Sequence, residues 1–239
     1  MLYDKPFSKE NLDVYLKELA KEYRKINGKN TPAEIILVGG AAVIVNYGFR
    51  EMTYDMDVII NASSSMKDAI NYVGDKYGLP MGWINEDFKK TTSYTPKIIQ
   101  YSKYYKTYSN VVTFRAVSGE YLIAMKLKSG RKYKYDRSDV IGILLEQKNL
   151  GSPITFEKIK KAVINLYGSY EVLSEEIRQF IESVIENGDY EELFKKTRQY
   201  EKENKENLIE YQEEKPGVIN GNNLNDIIDI LRKRKKENE

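Results

Sequence analysis

The segment from Pro32 to Tyr47 constrains this chain more than any other. Glu34–Val38 is a short, mostly apolar run that ends on Gly39-Gly40, and Ala41 to Tyr47 follows with Asn46 as its one strongly polar residue. Runs this short cannot span a bilayer, and runs this apolar cannot lie on a surface, so both must be buried. The first has the length of a strand. The second reads as a buried helix stopped near Gly48. A strand that passes through a glycine pair into a buried helix opens an α/β layer rather than a bundle or a sandwich. The two glycines leave room for a close backbone approach that a Cβ would block.

The next strand sharpens this reading. Tyr54 to Ile60 alternates, which places Asp55 and Asp57 on one face and Met56 and Val58 toward the core. Two carboxylates on one face repel each other unless a cation bridges them. Mg²⁺ suits such a pair because it takes one or two carboxylates together with phosphate oxygens. A glycine pair at the start of a helix presents backbone N–H groups to an anion. In this order, with Arg50 and Thr53 between, the residues describe a triphosphate held at Gly39-Gly40 and a metal held by Asp55 and Asp57.

Around this centre the pattern predicts a helix after Ser8 carrying Leu12, Leu16, Leu19, Tyr23 and Ile26 on one face. A further helix is expected over Ser65–Tyr77 and a strand over Val111–Val117. From Gly119 onward the signals are helical: Glu120–Lys128, Ser138–Lys148, Phe156–Tyr167, Ser174–Glu186 and a very polar run from Tyr190 to about Glu213. Pro216-Gly217 and Asn220–Asn223 break that run before a last amphipathic segment, Leu224–Leu231, and the basic run Arg232–Lys236. The fold class is α/β (α+β), a short mixed sheet flanked by helices with an α-helical C-terminal region. The expected division is a core over 1–150 and helices over 151–239, separated near Gly151–Pro153.

Composition narrows the chemistry. The chain has no histidine and no cysteine. That excludes imidazole bases, thiol nucleophiles, disulfides and His- or Cys-ligated metals. It leaves carboxylates, lysines, arginines, hydroxyls, backbone amides and a hard, oxygen-ligated cation. There is no apolar leader in Met1–Glu10 and no apolar run long enough for a membrane, so a cytoplasmic protein with no membrane partner is expected. Thirty-eight basic residues nearly balance 36 acidic ones, but Phe88 to Tyr135 holds eleven lysines and arginines against Glu120 alone. Tyr94, Tyr101, Tyr104, Tyr105 and Tyr108 are interleaved there. Such a block suits contact with RNA or a nucleotide, and equally a solvated basic loop.

The string Leu37-Val38-Gly39-Gly40, followed by Arg50-Glu51-Met52-Thr53-Tyr54-Asp55-Met56-Asp57-Val58, resembles the nucleotidyltransferase superfamily of polymerase β-like fold. Within it, the string is most similar to the AbiEii-type toxins of abortive-infection and type IV toxin–antitoxin systems. Arg50, Thr53, Asp55 and Asp57 fit their R-x-T-x-D-x-D pattern with one extra residue. Lys126 within Leu122–Leu127, followed by Arg131, Asp136 and Asp139, resembles the second half of their site, and the whole likeness covers roughly 30–148.

The resemblance implies transfer of NMP from an NTP to an RNA, such as a tRNA end, or to a protein hydroxyl. It implies nucleotide binding by Gly39, Gly40, Arg50, Thr53 and Lys126, metal binding by Asp55 and Asp57, and catalytic roles for Lys126, Asp136 and Asp139. A separately encoded antitoxin is the implied partner. Many polymerase β-like enzymes carry a third acid on a later strand, whereas Val111–Val117 offers only Thr113 and Arg115. AbiEii-like members also tend to lack that acid. The base is therefore open among Asp136, Asp139 and Glu120, and a catalytically inactive module that binds nucleotide or RNA is the alternative. A protein-interaction scaffold built on the charged helices from Tyr190 is the third reading.

Overall fold

The computed structural model describes residues 6–220 and 223–237, the last three by backbone alone. The expected break at Asn220–Asn223, the basic run Arg232–Lys236 and the opening stretch from Met1 therefore fall partly outside the described residues. By backbone contacts the chain forms two compact units, Met1–Met125 with Glu157–Tyr170, and Lys126–Phe156 with Glu171–Glu239.

In the first unit, α1 (Lys9–Asn27) buries Leu12, Leu16, Leu19, Ala20 and Tyr23. Ile26, expected on the same face, is 47% exposed in the last turn. The apolar run becomes β1 (Ala33–Leu37), and α2 (Gly39–Asn46) starts on the first glycine itself. Ala41 to Ile44 are wholly buried, as a helix without a polar face must be. Next come β2 (Met56–Asn61) and α3 (Met66–Tyr77). They are followed by the two-residue β3 (Ile84–Asn85), β4 (Ser102–Tyr108) and β5 (Val112–Val117).

The sheet order is β3-β2-β1-β5-β4. β1 is central, antiparallel to β2 and parallel to β5. β4 was not legible as a strand. Its sequence, Ser102-Lys-Tyr-Tyr-Lys-Thr-Tyr108, lacks an apolar alternation, and it forms because β5 pairs with it antiparallel at the sheet edge. Ser109 and Asn110, both at positive φ, make the tight turn between the two strands. α6 (Phe156–Tyr167) also belongs to this unit, where Tyr167 Oη donates to the Ser93 carbonyl at 2.7 Å.

The chain enters the second unit within α4 (Gly119–Ser129). That unit contains α5 (Asp136–Asn149), α7 (Glu175–Asn187), α8 (Tyr190–Glu214) and α9 (Leu224–Glu237). Leu208, Ile227 and Ile228 form a small apolar cluster between α8 and α9. The polar run read as α8 is one 25-residue helix, yet Glu201, Asn204 and Leu208 are buried along one of its faces. The fold class is as expected, a mixed sheet with flanking helices and a helical C-terminal region. Among the described residues no helix is long and apolar enough to cross a membrane.

Candidate active site

The sequence-derived site residues form two groups, one in each unit. The first is built where β1 runs into α2. Gly39 has φ +53°, a left-handed backbone that favours glycine. A methyl group placed on it would lie 3.2 Å from Asp57 Oδ2. Gly40 is tighter still: a methyl group there would lie 2.6 Å from Thr53 Oγ1 and 2.8 Å from a terminal nitrogen of Arg50. Gly39, Gly40, Arg50, Thr53 and Asp57 therefore share one small volume, and the glycines are needed because three side chains already occupy it.

The strand register sets this geometry. Val38 N donates to the Asp57 carbonyl at 3.0 Å, which ties β2 to the residue before the glycines. Met56 and Val58 are fully buried and Asp57 is half-buried between them, as the alternation requires. β2 begins two residues later than expected, so Asp55 stands just before the strand and is exposed. The pairing with β1 ends at Val58, and Met56 N bonds the Trp83 carbonyl on the β3 side of the strand. Thr53 Oγ1 donates to Asp55 Oδ1 at 3.4 Å, and Arg50 Nε donates to the Met52 carbonyl at 3.1 Å.

The site therefore offers two acids, one guanidinium, one hydroxyl and the amides at the positive end of α2, whose first turn carries no acid. These are hard oxygen donors and anion-binding groups, a set that suits Mg²⁺ with a phosphate. No cluster of three or more metal-binding side chains occurs among the described residues. On β5, Arg115 pairs with Ile36, which pairs with Ile59, two residues from Asp57 on the same face. That face of β5 carries Arg115 and no acid, and Arg115 donates to Ser102 Oγ at 2.8 Å and lies 3.6 Å from Glu34.

The second group is an ion network. Lys126 Nζ lies 2.7 Å from Asp139 Oδ2 and 3.3 Å from Asp136 Oδ1, with all three side chains buried. Arg131 grips Asp136 with two nitrogens, at 2.8 and 3.1 Å. Burial pushes the Asp136 carboxyl up, but the charges of Lys126 and Arg131 outweigh it and hold the group well below the usual carboxylate range. Arg198 reaches Asp139 at 3.5 Å and Ser138 Oγ at 3.2 Å and lies over the Tyr135 ring.

Glu201 was not singled out in the sequence. Wholly buried, it accepts the Arg137 N–H at 2.8 Å and the Ser138 N–H at 3.3 Å, at the start of α5. Burial pushes its pKa up to about 7, against those backbone bonds and with the help of the charges on Asp139 and Asp136. Its signal is spacing alone: residues 201, 204 and 208 share one face of a helix rich in charged residues.

A family model described as "Nucleotidyltransferase of unknown function (DUF6036)" matches residues 14–199. The chain belongs to this nucleotidyltransferase family. No curated protein and no solved structure matches it. The matched region of the nucleotidyltransferase contains both groups of residues, while Phe7 and α9 lie outside it.

Proposed function

We propose that this nucleotidyltransferase moves NMP from an NTP to a hydroxyl of RNA, such as a tRNA end, or of a protein, releasing pyrophosphate. The observation that supports this most strongly is the cradle at Gly40, where a Cβ would collide with Thr53 and Arg50. Two glycines that admit an arginine, a hydroxyl and an acid to the start of a buried helix make a place for phosphate oxygens. Asp55 and Asp57 are the residues that would hold Mg²⁺, which supplies positive charge at the α-phosphate when bound. The Gly39 and Gly40 amides bind the distal phosphates, and Arg50 adds a planar donor pair. Thr53 fixes Asp55 through its hydroxyl. Together these groups position the triphosphate and meet the charge that develops in transfer. Lys126 is already opposed by two carboxylates, so the reading rests on the group around Gly39.

The AbiEii-like string Arg50–Asp57 supports a finer assignment, the toxin of a cytoplasmic toxin–antitoxin or phage-defence pair with a separately encoded antitoxin. One observation favours a second reading, an inactive module that binds nucleotide or RNA: Arg115, not an acid, occupies the face of β5 shared with Asp57. Label transfer separates the two. Each α-labelled NTP is incubated with Mg²⁺ and either total RNA or lysate protein, beside Asp57→Ala and an EDTA control. Label on one acceptor class, lost in both controls, supports transfer. Binding of Mg²⁺–NTP without label supports the module, and no binding refutes Gly39, Gly40, Asp55 and Asp57 as a nucleotide site.

A further inference from the structure

The Arg50–Asp57 segment has little regular structure of its own, yet two anchors hold it. Phe7 N donates to the Thr53 carbonyl at 2.7 Å and Thr53 N donates to the Phe7 carbonyl at 2.9 Å, an isolated antiparallel bridge. Three residues on, Met56 N donates to the Trp83 carbonyl at 3.0 Å. The two anchors hold each other. The Phe7 ring, wholly buried, stacks on Trp83 with centroids 6.0 Å apart and planes 28° apart, and Tyr15 closes on both rings edge-on.

Each anchor is itself fixed. Trp83 Nε1 donates to the Ile70 carbonyl at 3.0 Å. Asn11 Oδ1 accepts the Ser8 N–H while its Nδ2 donates to the Pro6 carbonyl, which binds the residues flanking Phe7 to α1. Thr53 is thus held on its backbone by Phe7 while its hydroxyl faces Gly40 and Asp55. Arg50 and Asp57 stand within four residues of it.

We propose that Phe7 is a positioning residue for the nucleotide site: its bridge to Thr53 and its stack on Trp83 hold Thr53 and Arg50 against Gly40, and through the Thr53 hydroxyl hold Asp55. This rests on the nucleotide reading above. The role of the clasp is to limit the freedom of groups that must be placed to within a fraction of an ångström, where misplacement by about 1 Å lowers a rate by roughly 100-fold.

The test uses the full chain with Phe7→Ala and Phe7→Leu, read by amide hydrogen exchange and by label transfer from NTP. In Phe7→Ala the amides of 50–56 are expected to exchange at least about tenfold faster while β1 stays protected, and transfer falls roughly 100-fold. Phe7→Leu, which keeps an apolar anchor, recovers most of both. If Phe7→Ala does not fold, Trp83→Phe, which keeps a ring and loses the bond to Ile70, carries the same two readouts with intermediate effects expected. Unchanged exchange over 50–56, or faster exchange with full transfer, overturns the positioning role. A wild-type protein that neither binds nor transfers any NTP overturns the nucleotide reading instead, before any variant is compared.

Discussion

Replacing Glu201 with glutamine should stabilise the second unit at neutral and alkaline pH, an unusual outcome for a fully buried residue. Glu201 is wholly buried and accepts two backbone N–H bonds at the start of α5, near Asp136 and Asp139. Its ordinary value of 4.5 is raised to about 7 in the fold. The folded chain therefore binds the proton more tightly than the unfolded chain does. The stabilisation this provides is full below pH 4.5 and is lost as pH rises through 7.

The rise from 4.5 to about 7 corresponds to about 3 kcal/mol in all, of which about 2 kcal/mol falls between pH 5.5 and pH 8. Glu201→Gln keeps an oxygen to accept the Arg137 and Ser138 N–H groups but carries no charge to lose. Its stability should be flat over that range and exceed the wild type by about 2 kcal/mol or more at pH 8. Asp136 runs the other way: its carboxyl is held low, so its contribution is present above about pH 4 and is lost on acidification in both proteins. Urea unfolding followed by far-UV circular dichroism at pH 5.5 and pH 8 checks this. A variant with the wild-type pH slope, or one less stable than wild type at pH 8, would refute the reasoning.

Three further outcomes follow from the contacts. Gly40→Ala forces a methyl group to 2.6 Å from Thr53 and 2.8 Å from Arg50 and should lower stability by about 1–3 kcal/mol, with loss of Mg²⁺–NTP binding, read by thermal melting and a binding titration. Asp57→Ala should keep the fold, because Asp57 meets the sheet through its backbone, and should abolish label transfer. Lys126→Met leaves the buried Asp139 and Asp136 without their shared ammonium and should destabilise the second unit by about 3–5 kcal/mol, measured by urea unfolding at pH 7.

Much of the candidate site was legible because its signals are local. An apolar run, two glycines and an alternating Asp-Met-Asp fix backbone and face over a few residues, and β1, α2 and β2 form where those signals stand. Arg50 and Thr53 were named from a pattern, but only packing shows that both press on Gly40. The charge of Phe88–Tyr135 misleads when read along the chain. Seven of its eleven cations, Lys89, Lys90, Lys106, Arg115, Lys126, Arg131 and Lys132, lie within 4.0 Å of a carboxylate outside the stretch: Glu86, Asp87, Asp136 and Asp139 on its flanks, and Asp13, Glu34, Glu176 and Asp229 far from it in sequence. Lys106, for example, meets Asp13 of α1, and Tyr105 donates to the same acid, with burial helping to push that phenol up to about 12.

The sequence by itself determined the layer type, the strand–glycine–helix turn and the exclusion of histidine and cysteine chemistry, since each depends on composition or on neighbours in the chain. The tertiary structure decided which charges are spent on one another. It also buried Glu201 inside a run that reads as solvated, and it brought Phe7 to Thr53 across more than forty residues. Those outcomes depend on distances through space, on the desolvation of ions and on backbone bonds between remote segments, which patterns along the chain do not specify.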